Sequence, residues 1–150
     1  MRLPKQVLII PYKIINKQVK YCILKRKDRE VWQWISGGVE DFDENIISAA
    51  KREIYEEIGI KKEINIIELE GFTKIPVVNI VKDFKWGDNV FYAEEYSFAI
   101  NIGNNTIELS DEHSEYKWTL YEEAKELLKY DSNKSALWEL NEKIKRGLIN

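Results

Sequence analysis

A chain of 150 residues, 44% of them hydrophobic, can bury one substantial core, so we expect a single domain over residues 1–150. Its 23 basic and 26 acidic residues nearly balance, which argues against a nucleic-acid polymer as partner. The single cysteine, Cys22, allows neither an internal disulfide nor a zinc cluster, and we expect it in the core of a cytoplasmic protein. The apolar run at residues 7–10 is too short for a signal peptide or a membrane span.

The N-terminal part of the chain has the composition of β-strands. Residues 7–15 and 19–25 are rich in β-branched and aromatic side chains, and residues 16–18 separate them, which predicts a hairpin. A short strand is predicted around residues 32–34. Glycines 37–38 follow it, and we expect a tight loop there because glycine permits backbone conformations that other residues resist.

The clearest predicted element is a helix over residues 44–58. Asp43 can cap its N-terminus, and Gly59 is expected to end it in a left-handed conformation. Apolar residues recur at helical spacing and are predicted to face the core: Ile47, Ala50, Ile54 and Ile58.

The second half of the chain alternates between strand and helix patterns. Strands are predicted at residues 64–72, 77–81 and 90–100. Residues 119–122 have the form of a capping box before a helix, and a last helix is predicted at residues 135–145. The expected fold is a mixed sheet flanked by helices, of the α/β or α+β class.

Three carboxylates are spaced to share one side of the predicted helix. Glu53, Glu56 and Glu57 stand at positions i, i+3 and i+4. Like charges at this spacing repel each other mildly, so a cation between Glu53 and Glu57 would explain them. Oxygen ligands favour Mg²⁺ or Mn²⁺ over zinc. Taken alone, such a segment is more often a solvated helix face.

The residues around these acids resemble the Nudix box, GX5EX7REUXEEXGU, where U is aliphatic, without a mismatch. The matching residues are Gly38, Glu44, Arg52, Glu53, Glu56, Glu57 and Gly59, with Ile54 and Ile60 at the aliphatic positions. The resemblance implies a Nudix α/β/α sandwich and metal-dependent hydrolysis of a diphosphate bond.

The resemblance also implies roles for individual residues. Arg52 and Glu44 are expected to form a structural ion pair. The carbonyl oxygen of Gly37 or Gly38 is expected to bind the metal or the substrate. The expected metal ligands, or groups that polarise the attacking water, are Glu53, Glu56 and Glu57.

The C-terminal half resembles a narrower group, the bacterial dihydroneopterin triphosphate pyrophosphatases and the related dATP pyrophosphohydrolases. The similarity rests on residues 109–118, which contain an EHxxYKW segment, and on residues 132–134. In that group the acid of the segment, here Glu112, adds a metal ligand. The alternative is that Glu112 is an ordinary exposed acid, and either Glu53 or Glu112 could be the general base.

Other side chains are candidates for substrate contacts. Arg26 could hold a terminal phosphate in two-pronged fashion, although it belongs to a run of three basic residues that could simply be solvated. Trp34 could stack on a purine or pterin ring, or could be a core aromatic. His113, the single histidine, is expected to form structural hydrogen bonds more readily than to act in catalysis.

The function implied is Mg²⁺- or Mn²⁺-dependent cleavage of a nucleoside triphosphate or analogue, such as dATP or dihydroneopterin triphosphate, to the monophosphate and pyrophosphate. Another diphosphate derivative, such as a dinucleoside polyphosphate or a nucleotide sugar, is the main alternative. A non-catalytic ligand sensor is disfavoured because the box keeps all its acids. The expected partner is a small molecule, with no membrane involved, and the sequence leaves monomer and homodimer open.

Overall fold

The computed structural model describes residues 1–61 and 64–150. Within these residues the elements in chain order are β1 (Arg2–Ile15), β2 (Gln18–Arg26), β3 (Trp32–Gln33), β4 (Ile35–Glu40), α1 (Ile46–Ile58), β5 (Ile66–Pro76), β6 (Tyr92–Asn101), β7 (His113–Thr119), α2 (Tyr121–Leu127) and α3 (Asp131–Lys145). A short 3₁₀ helix, Val77–Asn79, follows β5. None of the helices in the described ranges is long and apolar enough to cross a membrane.

The sheet is mixed and is organised around β1. This long strand pairs antiparallel with β4 along its first part and with β2 along its last four residues, and it pairs in parallel with β6. β5 extends the sheet beyond β6, while β3 and β7 both pair with β2. Because β1 changes partner along its length, β4 lies beside the start of β1. The glycines of β4 can therefore lie against α1, the helix that follows.

Helices cover both faces of the sheet, and alternate residues of β1 determine which side chains each face buries. Val7 and Ile9 pack in a cluster with Ile54 and Ile58 of α1. The intervening residues, with Leu8 among them, pack on the other face in a cluster that includes residues of α2 and α3. The predicted α/β/α arrangement is therefore confirmed. Cys22 lies in the first cluster as expected, where burial raises the pKa of its thiol to about 12.

The predicted hairpin is confirmed and its turn is tighter than expected. Asn16 and Lys17 have positive φ angles of 51° and 67°, and Gln18 already belongs to β2. Two consecutive left-handed residues are the requirement of a type I′ turn, whose twist matches that of the flanking strands.

The predicted start of α1 is wrong by two residues. Asn45, and not Asp43, is the N-cap, and its side chain accepts a 2.8 Å hydrogen bond from the Ser48 amide. Asp43 is engaged elsewhere, as described below. Ile47 was expected in the core but is 40% exposed, because the buried face of the helix is shifted to Ala49 and its neighbours. Gly59 ends the helix with a φ angle of 74°, as predicted.

Other boundaries also differ from the sequence expectations. The two glycines lie within β4, and the loop begins only after Glu40. The segment at residues 77–81 is not a strand: Pro76 ends β5 because it has no amide proton to donate, and a 3₁₀ turn follows. Thr119 does not cap α2, since its hydroxyl donates to the Tyr21 carbonyl within the sheet. The last helix begins earlier than predicted, at Asp131.

Candidate active site

The box carboxylates lie where α1 packs on β4, but they do not share one environment. Glu53 and Glu57 are on the buried face of the helix and are only 8% and 3% exposed. Glu56 turns towards solvent, with its side chain 54% exposed, and lies 3.5 Å from Arg52. Glu56 thus differs from the other two acids, because positions i and i+4 face the sheet while i+3 is at the edge of the interface.

The glycines of β4 allow these carboxylates to approach the strand. A Cβ atom at Gly37 would overlap the carboxylate of Glu53, and one at Gly38 would overlap the side chain of Arg2. The amide of Ser36 donates a 3.1 Å hydrogen bond to Oε2 of Glu57. β4 thus binds the Glu57 carboxylate through a backbone amide. It leaves room for the Glu53 carboxylate because Gly37 has no side chain.

Arg52 connects the loop after β4 to the helix. Its guanidinium donates to both carboxylate oxygens of Asp43, at 3.1 and 2.8 Å, and to the carbonyl oxygen of Gly38 at 2.9 Å. A further hydrogen bond of 2.9 Å reaches Glu53. The amide of Glu40 also donates to Asp43. Arg52 therefore positions the Gly38 carbonyl and one buried acid at the same time.

The expected Arg52–Glu44 ion pair is wrong. Glu44 is exposed, whereas the Asp43 side chain is only 4% exposed and receives the guanidinium. The pair with Arg52 holds the pKa of Asp43 below its usual value. Asp43 lies at the point where the loop approaches the helix, and its short side chain reaches both Arg52 and the Glu40 amide.

Burial changes the protonation of the acids on α1. It raises the pKa of Glu53 to about 7, and the neighbouring Glu56 adds to the effect. Burial and the charge of Glu53 together raise the pKa of Glu57 to about 9. Buried His113 lies 3.6 Å from Glu57, and desolvation lowers its pKa to about 4. Glu57 and His113 are thus both neutral near pH 7 in the metal-free protein, and their contact is not an ion pair.

These shifts predict how the stability of the metal-free protein depends on pH. Because the folded pKa of Glu57 is raised above its ordinary 4.5, the folded chain keeps a proton that the unfolded chain has released. The free energy of unfolding should therefore fall as the pH rises towards 9, with the contribution of Glu53 lost first, around pH 7. Denaturant titrations in EDTA measure this. The Glu57→Gln variant should fall less steeply over the same range, and an equal slope would contradict the assignment.

One carboxylate and one guanidinium from outside the box also act on this region. The start of β7 lies against the end of β2, where the Lys27 amide donates to the backbone carbonyl of Glu112 at 3.0 Å. The charge of Glu112 contributes to the raised pKa of both Glu53 and Glu57, whereas Arg26 acts in the opposite direction on Glu57. The fold therefore brings Glu112 and Arg26, which are distant from the box in sequence, close enough to act on it.

The donor set fits a hard divalent cation. Buried acids with raised pKa values are stabilised in their charged form by an adjacent cation. In the ranges that the structure describes, no three His, Cys, Asp or Glu side chains are gathered into a ready-made metal cage. Mg²⁺ does not need one, because it commonly keeps several waters and binds one or two carboxylates together with substrate phosphates.

A cavity of about 570 Å³ opens beside these groups. The basic side chains of Arg2, Arg26 and Arg29 line part of it. Another part is lined by residues of the sheet, among them Gly37, Gln6 and Glu95. A smaller cleft of about 290 Å³ lies beside Tyr55 and Ile60. Neither Glu53 nor Glu57 lines either cavity, but Ser36 and Gly37, which lie against these two carboxylates, line the larger one. We therefore place the candidate site in the larger cavity, whose size suits a small molecule.

The family assignment rests on a match to a family model whose residues include the box and both faces of the sheet. The model of the NUDIX domain matches residues 7–139. The chain belongs to the Nudix family. A NUDIX hydrolase structure from Listeria monocytogenes superposes with a TM-score of 0.87 at 37% identity, covering 97% of each chain. The sandwich described above is therefore the Nudix fold.

Curated relatives have different named activities. A dihydroneopterin triphosphate diphosphatase from Haemophilus influenzae is 24% identical over 89% of this chain and 84% of its own length. An RNA pyrophosphohydrolase from Pelagibacter ubique is 29% identical over 90% and 89%. A bis(5′-nucleosyl)-tetraphosphatase from Rattus norvegicus is 31% identical over 87% and 84%. The chain is thus a Nudix hydrolase similar to pyrophosphohydrolases of more than one substrate class.

The expectation that Trp34 stacks on a substrate ring is wrong. Its side chain is fully buried, and the indole N–H donates a 2.9 Å hydrogen bond to the Asn133 carbonyl. The Asn133 side chain accepts in turn from the Trp34 amide at 3.0 Å. Trp34 therefore anchors α3 to the sheet and leaves no ring face free.

Sequence reasoning missed several residues that the Nudix fold brings to the site. Asp43 is predicted to cap the helix because aspartate is a favoured N-cap residue, whereas its neighbour Glu44 occupies the box position. Arg2, Gln6 and Glu95 lie on strands whose other inward positions are mostly apolar. A charged or polar residue at a strand position that should be buried is the sequence feature that could have revealed them. Glu95, between buried Ala93 and Ser97, is an example.

Proposed function

We propose that this protein is a Mg²⁺- or Mn²⁺-dependent pyrophosphohydrolase that cleaves a nucleoside triphosphate, or an analogue such as dihydroneopterin triphosphate, to the monophosphate and pyrophosphate. One observation carries the proposal. Two buried carboxylates, Glu53 and Glu57, meet the backbone of β4 beside a cavity with arginine side chains. This combination suits a charged phosphate chain and the cations that accompany it.

Glu53 and Glu57 are the proposed central metal ligands. Glu56 and Glu112 could complete the site from its exposed side, together with the carbonyl oxygen of Gly38. A bound Mg²⁺ supplies charge neutralisation of the phosphates and a water of lowered pKa. Because Arg52 already donates to Gly38 and Glu53, its proposed role is to hold these two oxygens in place.

Glu53 is the proposed general base. Burial raises its pKa to about 7 in the metal-free protein, and a bound cation would keep its carboxylate in the charged form that accepts a proton from water. Glu112 is the alternative, since it is exposed and its charge acts on both buried acids.

Arg26 is the proposed phosphate-binding residue. It lines the cavity and forms two hydrogen bonds with Asp28, at 2.8 and 2.7 Å. These bonds hold the guanidinium at the end of β2. Arg2 and Arg29 line the same cavity and add positive charge around a substrate with several negative charges.

The rat relative supports a second candidate, a dinucleoside polyphosphate. It is 31% identical and its name describes cleavage of such a compound. The same metal chemistry would apply, and the two substrates differ only in what lies beyond the cleaved bond. The basic side chains at the cavity serve either phosphate chain.

A substrate panel tests the proposal. Ribonucleoside and deoxyribonucleoside triphosphates, dihydroneopterin triphosphate, diadenosine tetraphosphate, ADP-ribose and a 5′-triphosphorylated RNA should be compared by kcat/KM in Mg²⁺. A triphosphate of low molecular mass should rank first. A top rank for the tetraphosphate would favour the second candidate, and a top rank for RNA would contradict the small-molecule assignment.

Glu112→Gln tests the part of the site that lies outside the box. If Glu112 binds metal or accepts the proton, the substitution should lower kcat by about tenfold or more and leave KM little changed. The matched control is Glu115→Gln, another exposed acid of the same segment. Loss of activity in the control with normal activity in Glu112→Gln would mean that the segment is aligned out of register.

A further inference from the structure

Glu95 is a buried carboxylate that the proposed chemistry does not use. It lies on β6, lines the cavity and is only 3% exposed. Gln6 donates a hydrogen bond to its Oε2 atom. Burial raises the pKa of Glu95, while Gln6 and the nearby Ser132 act in the opposite direction and favour the charged form. The Oε1 atom has no hydrogen-bond partner among the described residues. A buried charged group without a full set of partners is costly, and a ligand can supply what is missing.

The position of Glu95 relative to the box suits the far end of a nucleotide. Gln6 on β1 is paired with Gly38 on one side and with Glu95 on the other. Glu95 is therefore two strands away from Gly38, a separation of about 10 Å at the usual strand spacing. Phosphates bound near Gly38 would place a ring, and not a further phosphate, beside Glu95.

An ionised carboxylate only accepts hydrogen bonds, so it selects rings by their donors. The 2-amino-4-oxopyrimidine edge, which guanine and pterins share, offers a ring N–H and an exocyclic amino group side by side. Adenine offers an acceptor nitrogen next to its amino group, and this nitrogen would face a carboxylate oxygen. Hypoxanthine offers the ring N–H without the amino group.

We propose that Glu95, held by Gln6, binds the paired N–H donors of a 2-amino-4-oxopyrimidine ring and so makes the enzyme prefer guanine or pterin substrates to adenine substrates. The proposal rests on the proposed function, since it names the ring of the same triphosphate substrate. The last torsion of a glutamate side chain is soft, so the carboxylate can turn an oxygen towards the ring at little cost. Among the candidate substrates, dATP is therefore expected to be a poor one, because its ring is adenine.

Binding of monophosphates tests the proposal without requiring catalysis. Dissociation constants of GMP, IMP and AMP should be measured by calorimetry for the parent, for Glu95→Gln and for the control Glu94→Gln. Glu94 is the preceding residue on β6, is more exposed and bonds to Tyr96. The parent and the control should bind GMP at least about tenfold more tightly than AMP, with IMP between, since a wrong ring leaves Glu95 unpaired. Glu95→Gln should lose most of this preference.

Measurements of kcat/KM for GTP and dihydroneopterin triphosphate then show which source of the ring the enzyme prefers. Equal binding of GMP and AMP by the parent, or an unchanged preference in a folded Glu95→Gln, would overturn the proposal. Pyrophosphate release without any ring preference would overturn it and leave the proposed function standing. Preference for GMP that depends on Glu95, in a protein that hydrolyses no triphosphate, would support this inference and contradict the proposed function.

Discussion

Glu57→Gln should reduce turnover by about a thousandfold or more while the protein stays folded. The substitution keeps the shape of the side chain, and its amide oxygen can still accept the hydrogen bond from Ser36. It removes the charge that a metal ion needs. Since burial opposes that charge in the metal-free protein, the melting temperature in EDTA should be unchanged or higher.

The same variant separates a metal ligand from a structural residue. Mg²⁺ should raise the melting temperature of the parent and should raise that of Glu57→Gln much less, because ligand binding stabilises only the state that binds it. Glu108→Gln is a suitable control, since Glu108 is an exposed acid near the end of α1. Full activity in Glu57→Gln would place the reaction elsewhere in the protein.

Arg52→Ala should lower the free energy of unfolding by about 2–4 kcal/mol, because it leaves the buried Asp43 carboxylate without its cation. For a domain of this size, that corresponds to a fall in melting temperature of about 4–16 °C. Activity should fall as well, since the Gly38 carbonyl and Glu53 lose their common donor. Thermal unfolding and kcat are the measurements.

Asp43 and Glu44 provide the matched comparison. Asp43→Asn should reproduce part of the stability loss, while Glu44→Gln should melt within about 0.5 kcal/mol of the parent, as exposed substitutions usually do. If the two variants behaved in the opposite way, the pairing expected from the box position would be right and the contact with Asp43 wrong.

Much of the fold could be predicted because local patterns and global packing agree in it. The hairpin follows from two β-branched runs around Asn16 and Lys17, and the end of α1 follows from Gly59. Where local signals compete, the prediction is wrong. Asp43 and Asn45 are both good capping residues, and only the tertiary contact with Arg52 determines that Asn45 caps the helix.

Only the part of the candidate site that belongs to the Nudix box could be predicted from the sequence. Helical spacing places Glu53 and Glu57 together, but it does not reveal that Glu56 is exposed, because that depends on how α1 lies on β4. Glu95 enters the cavity through the parallel pairing of β1 with β6, a contact between residues far apart in the chain. Such pairings follow from the topology of the sheet and leave little trace in the local sequence.

The bond that is cleaved and the need for a metal are tested together by identifying the products of triphosphate hydrolysis by the parent enzyme with and without a divalent metal. With GTP and Mg²⁺, we expect pyrophosphate and GMP in equal amounts, and no turnover after chelation by EDTA. Release of orthophosphate with GDP would contradict cleavage between the α and β phosphates. Undiminished hydrolysis in EDTA would contradict the role proposed for the buried carboxylates of α1.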